Sequence, residues 1–281
     1  MKLVRHGDKG YEKPGLLDAG GRVRDLSAMV DDIAGEHLTT PGLARLRGIE
    51  AASLPVVEGD PRLGAPVGHV GKLICVGLNY ADHAAESGQP VPEQPVIFMK
   101  ATSAINGPHD DVLIPHGSSK TDWEVELGVV IGDTVRGVSR DEALGHVAGY
   151  LIVNDLSERD FQFAHGGQWV KGKSCDSFGP LGPWLVTRDE VPDPQGLSMW
   201  LSVNGHRYQN GSTRTMIFDV ATLVSHISRY MTLAPGDVIS SGTPPGVGLG
   251  QKPPVYLKPG DVMELGINGL GMQRQRVVAA R

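Results

Sequence analysis

The stretch Asp122-Trp123-Glu124-Val125-Glu126-Leu127-Gly128-Val129-Val130-Ile131 constrains this chain more than any other. Read with a period of two, Trp123, Val125, Leu127, Val129 and Ile131 share one face, and Glu124, Glu126, Gly128 and Val130 share the other. So apolar a strand belongs in a sheet, yet it carries two carboxylates pointing the same way. Taken out of water they repel each other unless a proton or a cation lies between them. Two readings result: an edge strand with both glutamates in water, or a strand whose glutamates hold a divalent metal.

The rest of the chain bounds the choice. Its 281 residues allow one large domain, or one large and one small. The 38 glycines and 20 prolines, with few long amphipathic patterns, favour many short strands joined by turns, a mainly β fold with some α (α+β). A net charge of -6 without clustered Lys or Arg argues against a nucleic-acid or anionic-membrane surface. Cys75 and Cys175 lack metal-type spacing, so a structural zinc is not expected and a reduced, cytoplasmic setting is. Neither a signal peptide nor an apolar run of membrane-spanning length is visible.

Residues 1–65 read as a small N-terminal unit: strands at Lys2 to Arg5 and near Arg22 to Asp25, then a helix with Thr40 as cap and Pro41 at its first position. Leu54 to Gly71, rich in Pro and Gly, reads as a linker or a long surface loop. A larger unit, residues 66–281, begins with the buried strand Lys72 to Gly77. If Asp82 to Ser87 is helical, His83 and Glu86 share a face, either as a solvated pair or as a histidine oriented by a carboxylate for general-base work. Val96 to Lys100 is a further strand, and Ser139-Arg140-Asp141-Glu142 is a capping box. Gly149 to Asp155 is an apolar strand ending in a carboxylate, which makes Asp155 a candidate third metal ligand or a cap for the next turn or helix.

Gly167 to Ser174 fits G-x-x-x-x-G-K-[ST], but Gly179-Pro180, so soon after it, leaves no room for the helix a phosphate loop requires. Prolines likewise disqualify Gly242 to Gly250 as a dinucleotide loop; it reads as a rigid loop presenting backbone amides and Thr243. Trp200 to Gln209 is a hairpin turning at Asn204-Gly205, and Asp219 caps a helix with Val220, Leu223, Val224 and Ile227 on one face. The last two strands lie at Val262 to Ile267 and Arg274 to Val278.

From about Lys72 onward the chain resembles the fumarylacetoacetate hydrolase family. The motifs are Gly77-Leu78-Asn79-Tyr80-Ala81-Asp82-His83, Asp122-Trp123-Glu124-Val125-Glu126-Leu127, Asn154-Asp155-Leu156-Ser157-Glu158-Arg159-Asp160 and Ser240-Ser241-Gly242-Thr243-Pro244-Pro245-Gly246-Val247-Gly248. The resemblance implies a mainly β roll, a homodimer or a dimer of such dimers, and a divalent ion, magnesium or else manganese, on Glu124, Glu126 and Asp155. For the acylpyruvate-cleaving branch it implies a His83/Glu86 pair activating water, Lys173 near the metal, and Arg159, Gln162 and Thr243 lining the substrate pocket.

The N-terminal portion looks most like 2,4-diketo-3-deoxy-L-fuconate or -L-rhamnonate hydrolases, which implies a small diketo acid cleaved to pyruvate and a second acid such as lactate, in sugar-acid catabolism. Oxaloacetate decarboxylation, or a ureidoglycolate lyase or isomerase step on a related keto acid, would use the same metal site. A metal-stabilised binding protein without turnover is the non-enzymatic alternative.

Overall fold

The computed structural model describes residues 1–86 and 90–280, with residues 83–85 described as backbone only. Turn residues cut the chain into short elements. The strands are β1 (Lys2–His6), β2 (Lys13–Leu17), β3 (Val23–Asp25), β4 (Leu73–Gly77), β5 (Val96–Lys100), β6 (Ile105–Asn106), β7 (Val112–Ile114), β8 (Thr121–Asp122), β9 (Val125–Ile131), β10 (Val147–Asn154), β11 (Ser157–Glu158), β12 (Gly179–Thr187), β13 (Ser198–Val203), β14 (His206–Ser212), β15 (Val238–Ser240), β16 (Val262–Ile267) and β17 (Gly271–Ala279). The α-helices are α1 (Thr40–Arg47), α2 (Ala81–Glu86), α3 (Arg140–Ala143), α4 (Arg159–Phe163), α5 (Val170–Lys173) and α6 (Val220–Ser228). This is the mainly β, α+β architecture expected from the sequence.

One large sheet runs β3-β2-β1-β12-β10-β9-β15-β4-β5, with β6 beside β12. A second sheet runs β14-β13-β16-β17-β7, and β11 pairs with β8 alone. The acidic stretch therefore lies near the middle of the large sheet, not at an edge. All seven residues of β9 are buried. Its odd face, Val125 to Ile131, packs into one apolar cluster with Tyr150, Ile152 and the α6 residues Leu223 and Ile227. On its even face Val130 joins a second cluster with Leu151, Val153 and Leu185.

The first 65 residues share both sheet and core with the rest. Strand β1 pairs with β12, Leu3 opposite Leu185, and Leu3, Leu16, Leu38 and Leu43 pack in the same cluster as Leu73 and Val130. In α1 the cap is Thr39, not Thr40: the Thr39 hydroxyl accepts from the Gly42 N–H at 3.2 Å. Thr40 is drawn off because its hydroxyl donates to Asp133, which moves Pro41 to the second helical position. The capping box of α3 also differs, since the Ser139 hydroxyl donates to the Glu142 carboxylate at 2.6 Å instead of accepting from the backbone.

Elsewhere local signals and structure agree. Asn204 and Gly205 take φ of 50° and 79°, the two positive values a type I′ turn needs, between β13 and β14. Asp219 caps α6 by accepting from the Thr222 N–H at 2.8 Å. Both cysteines are free. Among the described residues no helix is long and apolar enough to cross a membrane.

Candidate metal centre

Strand register gathers the carboxylates. In the antiparallel β9/β10 pair Val125 lies opposite Asn154 and Glu126 opposite Val153, and one step further the Asp155 N–H donates to the Glu124 carbonyl at 2.9 Å. Directly opposed residues of an antiparallel pair project to the same face. Glu124, Glu126 and Asp155 thus emerge together, all three buried, with one oxygen of each within 4.8 Å of the others. Oxygens on opposite sides of one divalent ion, each ~2.1–2.4 Å from it, are separated by about that span.

Each carboxylate is held differently. Glu124 accepts from the Arg159 guanidinium at 2.7 Å and from Lys173 Nζ at 2.6 Å. Asp155 accepts from Lys173 Nζ at 2.8 Å and, on its other oxygen, from Lys100 Nζ. Glu126 has neutral donors, the Ser240 hydroxyl and the Gly242 N–H at 2.9 Å. Burial, then the neighbouring Asp155 and Glu124 charges, push the Glu126 carboxyl well above its ordinary range. Although burial works against its charge, Lys173 is held above its usual value by Asp155 and Glu124.

Asp122 takes the Arg159 Nε at 2.8 Å and joins the same network. Among the described residues four carboxylates (Asp122, Glu124, Glu126, Asp155) therefore share three cations (Lys100, Arg159, Lys173), an excess of one negative charge at full ionisation. A divalent ion would reverse that sign and suit an anionic ligand. The donors are all carboxylate oxygens, the set that hard cations such as magnesium or manganese favour. The residues present fit such an ion.

The trio lies on the floor of a cavity of about 430 Å³, lined also by Arg159, Gln162, Lys173 and Thr243. Two short helices deliver the first three. Arg159 and Gln162, three apart on α4, share a face and bond to each other at 3.1 Å. Lys173 ends α5, which lies so close to α4 that a Cβ at Gly172 would fall 2.3 Å from the Glu158 carbonyl oxygen; glycine makes that approach possible. The segment resembling a phosphate loop thus serves the carboxylates, which its lysine reaches. Thr243 borders the cavity, but its hydroxyl donates to the Val125 carbonyl and accepts from Gln209.

Glu86 is not itself among the lining residues but packs behind the loop that carries Val247 and Leu249, both carboxylate oxygens 3.1 Å from the Gly246 N–H. Four amides of the 242–250 loop are spent on carboxylates of the protein itself: Gly242 on Glu126, Gly246 on Glu86, and Gly248 and Leu249 on Asp122. The His83 side chain lies outside the described residues. Two members of the network, Lys100 and Asp122, went unassigned from sequence. The signal for Lys100 was slight, a lysine closing the apolar strand β5, whereas Asp122 stood inside the acidic motif itself.

Residues 72–278 match the Fumarylacetoacetate (FAA) hydrolase C-terminal family. The chain belongs to the fumarylacetoacetate hydrolase family. It is 65% identical to a Burkholderia cenocepacia (strain HI2424) protein named "Putative hydrolase", over 98% of each chain. The solved fumarylacetoacetate hydrolase of Exiguobacterium antarcticum superposes with a TM-score of 0.86 at 39% identity, covering all of both chains. The maleylpyruvate hydrolase of Sphingobium sp. SYK-6, solved with manganese(II) and pyruvate, gives 0.81 at 30% identity, again over all of both. Similar solved structures include isomerases as well as hydrolases. This member of the family therefore shares its fold with those hydrolases and isomerases and has a buried acidic trio able to hold a divalent ion.

Proposed function

We propose that the protein is a divalent-metal-dependent hydrolase that cleaves a carbon–carbon bond of a 2,4-diketo acid, giving pyruvate and a second acid. One observation carries the reading: Glu124, Glu126 and Asp155 converge on the floor of a cavity that Lys173 and Arg159 also line. Magnesium, or manganese, would be held by those three carboxylates. When bound, such an ion polarises a keto oxygen and offsets negative charge that develops on the departing fragment.

The chain's own groups have definite roles in this reading. An ammonium has three N–H donors; Lys173 spends two on Glu124 and Asp155, and the third is available to a substrate oxygen. Gln162 and Arg159 border the place where the keto-acid carboxylate would sit. By resemblance, His83 takes a proton from the attacking water, with Glu86 as its positioning residue. The water oxygen bonds to C4, the C3–C4 bond breaks, and its electron pair passes to C3 as pyruvate enolate. A proton delivered to C3 completes pyruvate, and the acyl part leaves as a carboxylic acid. Preorganised charge at the developing enolate is the kind of effect that dominates many enzymatic rates.

The same floor serves a second reading, favoured by the isomerases among the similar structures. Isomerisation, lyase chemistry or oxaloacetate decarboxylation needs enolate stabilisation but no attacking water. A panel with magnesium, manganese and chelator separates them: acylpyruvates, the L-fuconate- and L-rhamnonate-derived diketo acids and oxaloacetate, with products identified. Pyruvate plus a second acid is expected. Carbon dioxide from oxaloacetate, or an isomerised product alone, would replace the hydrolase reading, and no turnover with a metal-raised Tm would favour a binding protein. His83→Ala is expected to slow hydrolysis by about 10²–10⁴-fold, the range of general-base catalysis, with metal affinity intact; full activity in that variant would remove the water-activation role.

A further inference from the structure

The cavity has two chemically different ends. Its floor is charged and buried, whereas its other described side chains are apolar: Phe98, Trp169, Phe163, Leu78, Val247 and Leu249, with Phe163 and Leu249 reaching solvent. The three rings form a continuous track. Phe98 lies 5.1 Å from Lys173 Nζ, Trp169 meets Phe98 edge-on at 5.3 Å, and Phe163 meets Trp169 edge-on at 6.0 Å. Phe163 is 49% exposed, so the track runs from the floor to the surface. Trp169 is also seated against the end of β4, where a Cβ on Gly77 would fall 2.6 Å from its ring.

Resting on the 2,4-diketo-acid reading of the floor, we propose that the acyl arm of the substrate, beyond C4, is an apolar chain that lies along Trp169 instead of a polyhydroxylated one. A keto acid anchored by its charged end on the floor must lay that arm against these walls. A hydroxyl placed there without a partner loses its bonds to water, a penalty of about tenfold to a hundredfold in affinity. Thr243 cannot repay it as a donor, because its single O–H is given to the Val125 carbonyl. Among the described residues, the other polar side chains of the lining sit with the carboxylate trio at the buried floor. Diketo acids derived from L-fuconate or L-rhamnonate carry hydroxyls on this arm and rank below alkyl, alkenyl or aryl acylpyruvates of the same length.

Binding tests this without requiring turnover. The manganese-loaded protein is titrated calorimetrically with two 2-oxo acids of equal length that lack the 4-keto group and cannot be cleaved, one with an alkyl tail and one with a hydroxylated tail. The alkyl acid is expected to bind at least about tenfold more tightly. Trp169→Ala should close most of that gap and Trp169→Phe should keep it, while Phe163→Ser, at the exposed rim, narrows it without touching the core. Equal or tighter binding of the hydroxylated acid, or a gap unchanged by both Trp169→Ala and Phe163→Ser, would overturn the proposal. If the alkyl acid binds but no 2,4-diketo acid is cleaved, the hydrolase reading fails and the apolar-arm proposal stands; if neither acid binds, both fail.

Discussion

Asp18 and Glu126 both accept hydrogen bonds from backbone amides, and the protein treats them in opposite ways. Around Asp18 the Arg22 and Gly20 N–H groups and the Arg22 and Arg24 side chains converge within 3.1 Å. The Arg22 amide leads in lowering that carboxyl to about 2, with Arg24 and the Gly20 amide adding to it. Glu126 has one amide and one hydroxyl, and two carboxylates beside it, and it is pushed the other way. Asp18 is complete as it stands. At Glu126 burial and the neighbouring carboxylates work against the anion, so a cation placed there would favour it, and that contrast separates a self-sufficient carboxylate from a candidate ligand.

The largest effect should come from breaking the deficient side. Glu126→Gln keeps shape and removes charge, and it is expected to cut metal-dependent turnover by about a thousandfold or more, to the level of chelator-treated protein, because several kcal/mol of charge stabilisation are lost. Steady-state rates with and without chelator measure it. Turnover that survives in the variant would dissolve the contrast.

Lys100→Met sharpens the comparison from the cation side. It strips a buried ammonium from Asp155, and breaking a buried pair costs about 3–5 kcal/mol. Urea denaturation should show that loss in metal-free protein and a smaller one with saturating magnesium, since the ion shares the uncompensated charge. Equal losses in both conditions would detach Lys100 from the site.

The smallest effect belongs to Asp18. A folded pKa of about 2 against an ordinary 3.8 means that its contribution to stability is complete above the unfolded value and is lost as pH falls through the folded one. Asp18→Asn should therefore lower Tm slightly at neutral pH, with a gap to the parent protein that narrows from roughly pH 4 downward. A gap that widened on acidification would contradict the assignment.

The convergence of the three carboxylates was legible because it rests on local facts: alternation put Glu124 and Glu126 on one face, and Asp155 closed a second apolar strand. That β9 is buried on both faces was not legible, since it depends on two apolar clusters assembled from distant segments. Lys100 escaped for the same reason; its partner lies 55 residues away and is chosen by sheet order. Thr40 was misread as a cap because the competing acceptor, Asp133, is 93 residues distant. The aromatic track is likewise assembled from β5, α4 and the start of α5, and no single stretch of sequence displays it.

Calorimetric titration of the metal-free protein with manganese or magnesium, compared with Glu126→Gln, tests the central claim most directly. One ion per chain bound by the parent protein, with affinity lost in the variant, is the predicted result. No saturable binding, or equal binding by both proteins, would show that the buried trio holds its charge without a metal.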